Sequence, residues 1–334
     1  MIVSKTPVRM SFLGGGSDIY SYYSEFGGAV ISTSIDKYIY IVAKNKFDKK
    51  IRLNYSQTEE VDRIDDIAHP IFRETLRLLE LTSGIQIASM ADIPGRGTGL
   101  GSSSAFTVGL VNALSAMSGK RVSKSCLSEM ACEIEINKCK DPIGKQDQYA
   151  AAYGGINIFR FNPNGSVSVE PIKSNPDNLL NFEKSLIMFY TGRTRFASEI
   201  LAYQSQALKL KSTQFIMHEL VKLVFDFKSS LEGGDLVQLG GILDAGWVLK
   251  KQLAPGIADT QIDEWYELAM AAGAYGGKLL GAGYGGFLVF CAPQERHPAI
   301  EKKLNMLQKV NFCFDRVGSK IILDEVKPSM HRLG

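Results

Sequence analysis

The chain is predicted to be an α+β protein of two domains, and three observations lead there. The first half alternates strand-like apolar runs with short amphipathic helical segments. The second half mixes three or four longer helices with about four strands. Between them lies the polar run SNPDNLLNFEK, Ser174 to Lys184, the best candidate boundary. The expected units are therefore residues 1–180 and 181–334, and 334 residues suit two domains of ordinary size.

In order, Ile2 to Phe12 alternates weakly and reads as a strand ending at Gly14-Gly15-Gly16. Ala29 to Ala43, rich in Ile, Val and Tyr, reads as one or two strands, and Lys50 to Tyr55 continues the sheet. Pro70 to Leu81 places Phe72, Leu76 and Leu79 on one side of a helix. Ile85 to Ala88 is a strand. Phe106 to Met117 and Lys124 to Asn137 are helices, the second capped by Ser123 or Ser125. A loop then enters a short helix at DPIGKQDQYAAAYGG. Ile156–Phe161 and Val167–Pro171 flank NPNG as a hairpin. Beyond the boundary, Leu186 to Tyr190 is a strand. Helices follow at Ser198–Ser229, Asp235–Gln252 and Thr260–Ala272. FLVFCA is a strand, Glu295 to Gln308 a helix, and Phe312–Val317 and Lys320–Val326 are closing strands.

Composition excludes several classes. With 45% apolar and 22% charged residues and a net charge of +3, the chain lacks the basic block of a nucleic-acid binder. The four histidines are scattered and none pairs with cysteine at metal-ligand spacing. The five cysteines are odd in number and form no C-x-x-C, so Cys132 and Cys139 read as buried thiols in a reducing cytosol. No signal peptide or membrane-length apolar run is evident, so a cytoplasmic protein is expected.

Four constellations carry chemistry. PGRGTGLGSSSA runs into a helix: Pro94, Gly95, Arg96, Gly97, Thr98, Gly99, Leu100, Gly101, Ser102, Ser103 and Ser104 form a glycine loop that can close N–H groups around phosphates at a helix N-terminus. A simple cap needs only one glycine or serine. No Walker A pattern occurs. LLGAGYGGF matches G-x-G-x-x-G through Gly281, Gly283 and Gly286, but it follows a helix and opens a strand, the reverse of a dinucleotide fingerprint. It reads as a tight turn, or as a closure over a shared ligand in which Gly283 and Gly285 meet the substrate. PVRMSFLGGGSDI puts Arg9 on a strand and Asp18 beyond three glycines, where Gly15, Gly16 and Ser17 let a small ligand approach. GKQDQ places Gly144 and Lys145 beside Asp147, a carboxylate suited to a phosphoryl-accepting hydroxyl. Glu133 and Glu135 lie upstream at i and i+2, so at most one faces the site.

Together these segments resemble the GHMP kinase family, which carries such motifs in this order: TPVRMSFLGGGSD, PGRGTGLGSSSA and KLLGAGYGGF. The resemblance implies an N-terminal domain like the second domain of ribosomal protein S5, then a ferredoxin-like domain with extra helices. It implies ATP between the domains with phosphates on Gly97 to Ser104, Mg²⁺ on Ser103 and Glu135, Asp147 as catalytic carboxylate, and Arg9 steadying it. The tyrosine in the third motif departs slightly and is expected to narrow the turn.

Galactokinases of the family carry Glu and His in the first motif, where this chain has Gly-Gly-Gly-Ser before Asp18. The string from Arg9 to Tyr40, and YTGRTRFASEI, resemble bacterial D-glycero-D-manno-heptose 7-phosphate kinases. That implies phosphorylation of the C1 hydroxyl of a sugar phosphate, with a second phosphate site for which Arg193, Arg195 and Lys145 are the candidates. Lys278 and Arg96 are expected to serve the nucleotide or the protein itself. The alternatives are a kinase for a fucose- or galactose-like sugar, one for an isoprenoid precursor, and a non-catalytic sugar and ATP sensor. An NAD-dependent dehydrogenase would rest on the misplaced glycine turn alone. No nucleic-acid or membrane partner is expected, and a homodimer is left open.

Overall fold

The computed structural model describes residues 1–94, 97–193, 203, 206–208 and 210–325. Strand β1 (Ile2–Leu13) pairs antiparallel with β2 (Gly28–Asn45), a single strand of 18 residues. Their register shifts between Pro7 and Val8, where proline has no N–H for the ladder. On β2 the sheet continues through β5 (Ile85–Ala91), parallel β3 (Ile51–Asn54) and β4 (Thr58–Val61). The predicted hairpin forms as β6 (Ile156–Phe161) and β7 (Val167–Pro171), with β6 also paired to β2. Helix α1 (Tyr20–Phe26), absent from the sequence prediction, follows the glycine turn. α2 (Pro70–Leu78) buries Phe72 and Leu76. α3 (Ser102–Met117) packs along β1 and β2 and begins on the three serines themselves. α4 (Lys124–Cys132) is capped by Ser123, whose hydroxyl accepts from the Cys126 N–H, and passes into a π-helical turn at Glu133–Lys138. α5 (Gln146–Tyr153) carries Asp147 in its first turn.

The polar run forms α6 (Pro176–Ser185), capped by Asn175, with Phe182 buried against Phe12 at 5.2 Å between ring centroids. A second, antiparallel sheet has the order β11-β8-β10-β9: β8 (Leu186–Tyr190), β9 (Gly276–Leu279), β10 (Phe287–Cys291) and β11 (Gln308–Lys309). It carries α7 (Lys211–Gly233), α8 (Leu236–Lys251) and α9 (Thr260–Ala271). The helix predicted for Glu295–Gln308 is shorter. A 3-10 turn at Gln294–Arg296 leads to α10 (His297–Lys303), because the backbone leaves helical geometry at Leu304. The last strands, β12 (Phe314–Asp315) and β13 (Lys320–Asp324), return to the first sheet and pair with β2 and β1. One apolar cluster runs across both halves, from Phe12 and Leu13 through Phe227 and Leu243 to Phe287. Among the described residues no helix is long and apolar enough to cross a membrane.

Candidate active site

The three glycine motifs meet at one cleft of about 410 Å³, walled by the Gly14–Gly16 turn, the loop Gly97–Gly101, the start of α3, the segment Asp141–Asp147 and part of α8. At its floor, Arg9 grips Asp147. Nε and Nη2 donate to Oδ1 and Oδ2, each at 2.8 Å, and Nη1 donates to the Gly99 carbonyl at 2.6 Å. A planar fork meeting both carboxylate oxygens fixes that carboxylate in place. Arg9 is 5% exposed, whereas the Asp147 side chain keeps 23% of its surface towards the cleft. Gly101 makes this closeness possible, since a Cβ there would lie 3.0 Å from Asp147 Oδ2.

The glycine loop is shaped by backbone conformation. Gly97, Gly99 and Gly101 all have φ between +70° and +77°, a region side chains disfavour. The N-cap of α3 is Gly101, so the helix begins on this loop with the positive end of its dipole at the cleft. The third motif crosses over the loop. A Cβ on Gly281 would lie 2.2 Å from Gly99 Cα, and one on Gly286 would lie 2.1 Å from the Thr98 carbonyl oxygen. The motif follows strand β9, not the helix expected from sequence, and joins it to β10; that crossing, rather than a dinucleotide cradle, explains these two glycines. Gly283 instead abuts Ile257, and Gly285 abuts Arg193. Tyr284 takes φ +70° and donates its N–H to Ile257.

Asp18 is buried against the segment that carries Asp147. Its Oδ1 accepts from the Gly16 N–H at 2.9 Å and from Gln146 Nε2 at 3.0 Å, and Oδ2 accepts from the Gln146 N–H at 3.1 Å. Burial raises its pKa, and the Asp147 charge adds to that. Gly144 is required, because a Cβ would lie 1.9 Å from Asp18 Oδ2. Ser17 holds the turn from behind by donating to the Ala29 carbonyl. Among the described residues, Ser11 Oγ, Thr98 Oγ1 and Gln146 Oε1 of the cleft lining are buried without a protein partner. Such atoms are where a polar ligand is expected.

The π-helical turn separates the two glutamates. Glu133 is at the surface with Asn137 and Lys138, while Glu135 is fully buried. Glu135 Oε1 accepts from Ser103 Oγ at 3.0 Å, and Oε2 accepts from Gln148 Nε2 at 2.6 Å. Burial pushes its pKa up to about 7, against the lowering effect of its hydroxyl and amide partners. The exposed Ser103 hydroxyl at the helix start suits a divalent cation that also takes phosphate oxygens, with Glu135 behind it and outside the cleft lining.

Not every expected residue reaches the cleft. Lys145 turns away and donates to the Gly165 carbonyl at 2.7 Å. Arg193 pairs with Asp259 at 2.7 Å and lies over the Tyr284 ring, outside the cleft lining. Pro94 is exposed beside the loop, and Leu100 is a core residue whose carbonyl accepts from the Arg9 N–H. Gly95, Arg96 and Arg195 lie outside the described residues. Conversely, Lys250, Lys278, Ser11 and Gln146 line the cleft and were not assigned to the acceptor from sequence.

Known proteins are similar to this chain in sequence and fold. Models of the GHMP kinase N-terminal and C-terminal domains match residues 66–155 and 227–308. A D-glycero-alpha-D-manno-heptose 7-phosphate kinase of Campylobacter jejuni is 28% identical over 96% of this chain and 98% of its own. A galactokinase of Pyrococcus furiosus is 25% identical over 90% and 91%. The crystal structure of a D-glycero-D-manno-heptose 1-phosphate kinase from Bacteroides thetaiotaomicron superposes with a TM-score of 0.79 at 25% identity, covering 96% of this chain and 98% of that one. With both domain models matched and the three motifs joined at one cleft, the chain belongs to the GHMP kinase family.

Proposed function

We propose that the protein transfers the γ-phosphoryl group of ATP to the anomeric C1 hydroxyl of D-glycero-D-manno-heptose 7-phosphate, giving the 1,7-bisphosphate. The observation that carries this reading is the Asp147 carboxylate, clamped by Arg9 between the glycine loop and the Asp18 turn. The Campylobacter jejuni relative, similar over nearly its whole length, supports the substrate.

In this reading the loop Gly97–Gly101 and the α3 N-terminus bind the ATP phosphates. Asp147 orients the acceptor hydroxyl and takes its proton as the oxygen attacks. Arg9 keeps the carboxylate facing that oxygen and offsets charge on the phosphoryl group. Asp18 and the free Gln146 Oε1 accept hydrogen bonds from sugar hydroxyls. Ser103 and Glu135 would hold Mg²⁺, which neutralises phosphate charge when bound. The division into units 1–180 and 181–334 puts the loop, Asp147 and Asp18 in the first and the crossing turn in the second.

The test is ADP release from ATP with a panel of acceptors: the heptose 7-phosphate, sedoheptulose 7-phosphate, mannose, galactose, fucose and mevalonate. Turnover on the heptose phosphate alone is expected. Turnover on an unphosphorylated sugar instead would favour the second reading, a fucose- or galactose-like kinase, which the galactokinase relative supports.

A further inference from the structure

Two lysines that the transfer step does not use line the same cleft. Lys250 lies one turn beyond Gly246 on α8, and Lys278 lies on β9. Both line the cleft, at 9% and 5% exposure. Lys250 Nζ donates to the Gly281 carbonyl and Lys278 Nζ to the Phe12 carbonyl. Among the described residues neither forms an ion pair. An ammonium group has three donors, so two on each remain to be used. Burial pushes Lys250 down to about 8 and Lys278 well below its ordinary value, and each is lowered further by neighbouring cations, Arg9 among them. The charge of Asp18 acts the other way on Lys250.

Burial and the neighbouring positive charges disfavour the charged form of both amines, and an anion held between them would favour it. Their surroundings say which. Lys278 is tied to Phe12, just before the Gly14–Gly16 turn, and Gly246 presses on Leu13. Phe12 and Leu13 both run directly into the Gly14–Asp18 turn, and the charge of Asp18 is felt at Lys250. We propose that Lys250 and Lys278 bind a phosphate ester already carried by the acceptor, the role that the sequence assigned to Arg193, Arg195 and Lys145. The assignment rests on the sugar-kinase reading for which wall is the acceptor's.

The test is steady-state kinetics on Lys250→Met and Lys278→Met, with phosphorylated and unphosphorylated heptose as acceptors and inorganic phosphate as a probe. The expected result is a KM for heptose 7-phosphate raised about tenfold or more, with kcat within about threefold. Inorganic phosphate should compete with the acceptor in the wild type and not in the variants. Methionine fills the lysine stem and removes an amine that burial disfavours as a cation, while the Gly281 and Phe12 carbonyls each lose a donor, so melting temperatures should stay within a few degrees of the wild type. Equal losses of kcat on both acceptors would place the lysines on the transferring phosphoryl group and overturn the proposal. So would a fall in melting temperature with loss of both activities. If the wild type ignored heptose 7-phosphate but kept lysine-dependent phosphate competition, the substrate reading would fail and the anion site would stand.

Discussion

Replacing Asp147 by Asn keeps the shape of the side chain and removes its charge and one acceptor. In the wild type both oxygens take a hydrogen bond from Arg9 at 2.8 Å. In the variant one of those atoms is an NH₂ group, which cannot accept. A charge-assisted bond is worth about 1.5–3 kcal/mol, and the guanidinium left behind is nearly buried. Because Asp147 is partly exposed and water can reach that edge, a loss of about 1–2 kcal/mol in stability is expected by urea denaturation. The effect on rate is separate and larger. Removing the proton acceptor should lower kcat by about 10²–10⁴-fold. ATP affinity should stay within about threefold, since the loop's own glycines set its conformation. The assay is coupled ADP release for kcat, with ATP Kd by titration calorimetry. A variant with kcat within threefold of wild type would refute Asp147 as the catalytic carboxylate. A parallel loss of ATP affinity would show that the residue supports the loop instead.

Gly281→Ala should destabilise the fold by about 2 kcal/mol or more and raise the KM for ATP, because its Cβ would strike Gly99 backbone and its φ is +79°; an unchanged melting temperature would refute the crossing as a tight contact. Gly144→Ala should displace Asp18 and raise acceptor KM about tenfold while sparing ATP affinity; equal effects on both substrates would argue against Asp18 as an acceptor residue. Glu135 has its folded pKa raised from 4.5 to about 7, so between those values the folded state binds the extra proton and stability falls as pH rises. Glu135→Gln should flatten that decline in ligand-free protein and weaken Mg²⁺-dependent nucleotide binding; an unaltered pH profile of unfolding would contradict the shift.

Much of this site was legible because glycine requirements are local. Gly97, Gly99 and Gly101 mark a backbone conformation, and the serines after them mark a helix start; both follow from sterics within a few residues. Asp18 and Asp147 were legible as carboxylates beside flexible backbone. The lysines were not. Lys250 follows the apolar stretch of α8 at a place where a basic residue ordinarily favours the helix C-terminus in solvent. Its burial depends on Gly246 seating against Leu13, more than 200 residues earlier, which no local pattern records. Arg193 shows the opposite case. Its sequence neighbourhood suggested an anion site, but Asp259, at the start of α9, claims the guanidinium. The segment Ser174–Lys184 shows the same limit for the fold. Its polarity reads as a connector, yet Asn175 caps a helix there and Phe182 docks between Phe12 and Phe227. Composition reports what a segment prefers towards water, and a single buried aromatic ring can decide where it goes. The same reasoning explains the third motif. Its glycine spacing matches a dinucleotide loop, but spacing alone does not say what the missing side chains make room for. Here the space at Gly281 and Gly286 is filled by the first glycine loop, and Gly99 in turn leaves room for Leu280 and Gly281, so at these three positions two sequence-distant motifs carry glycine because their backbones touch.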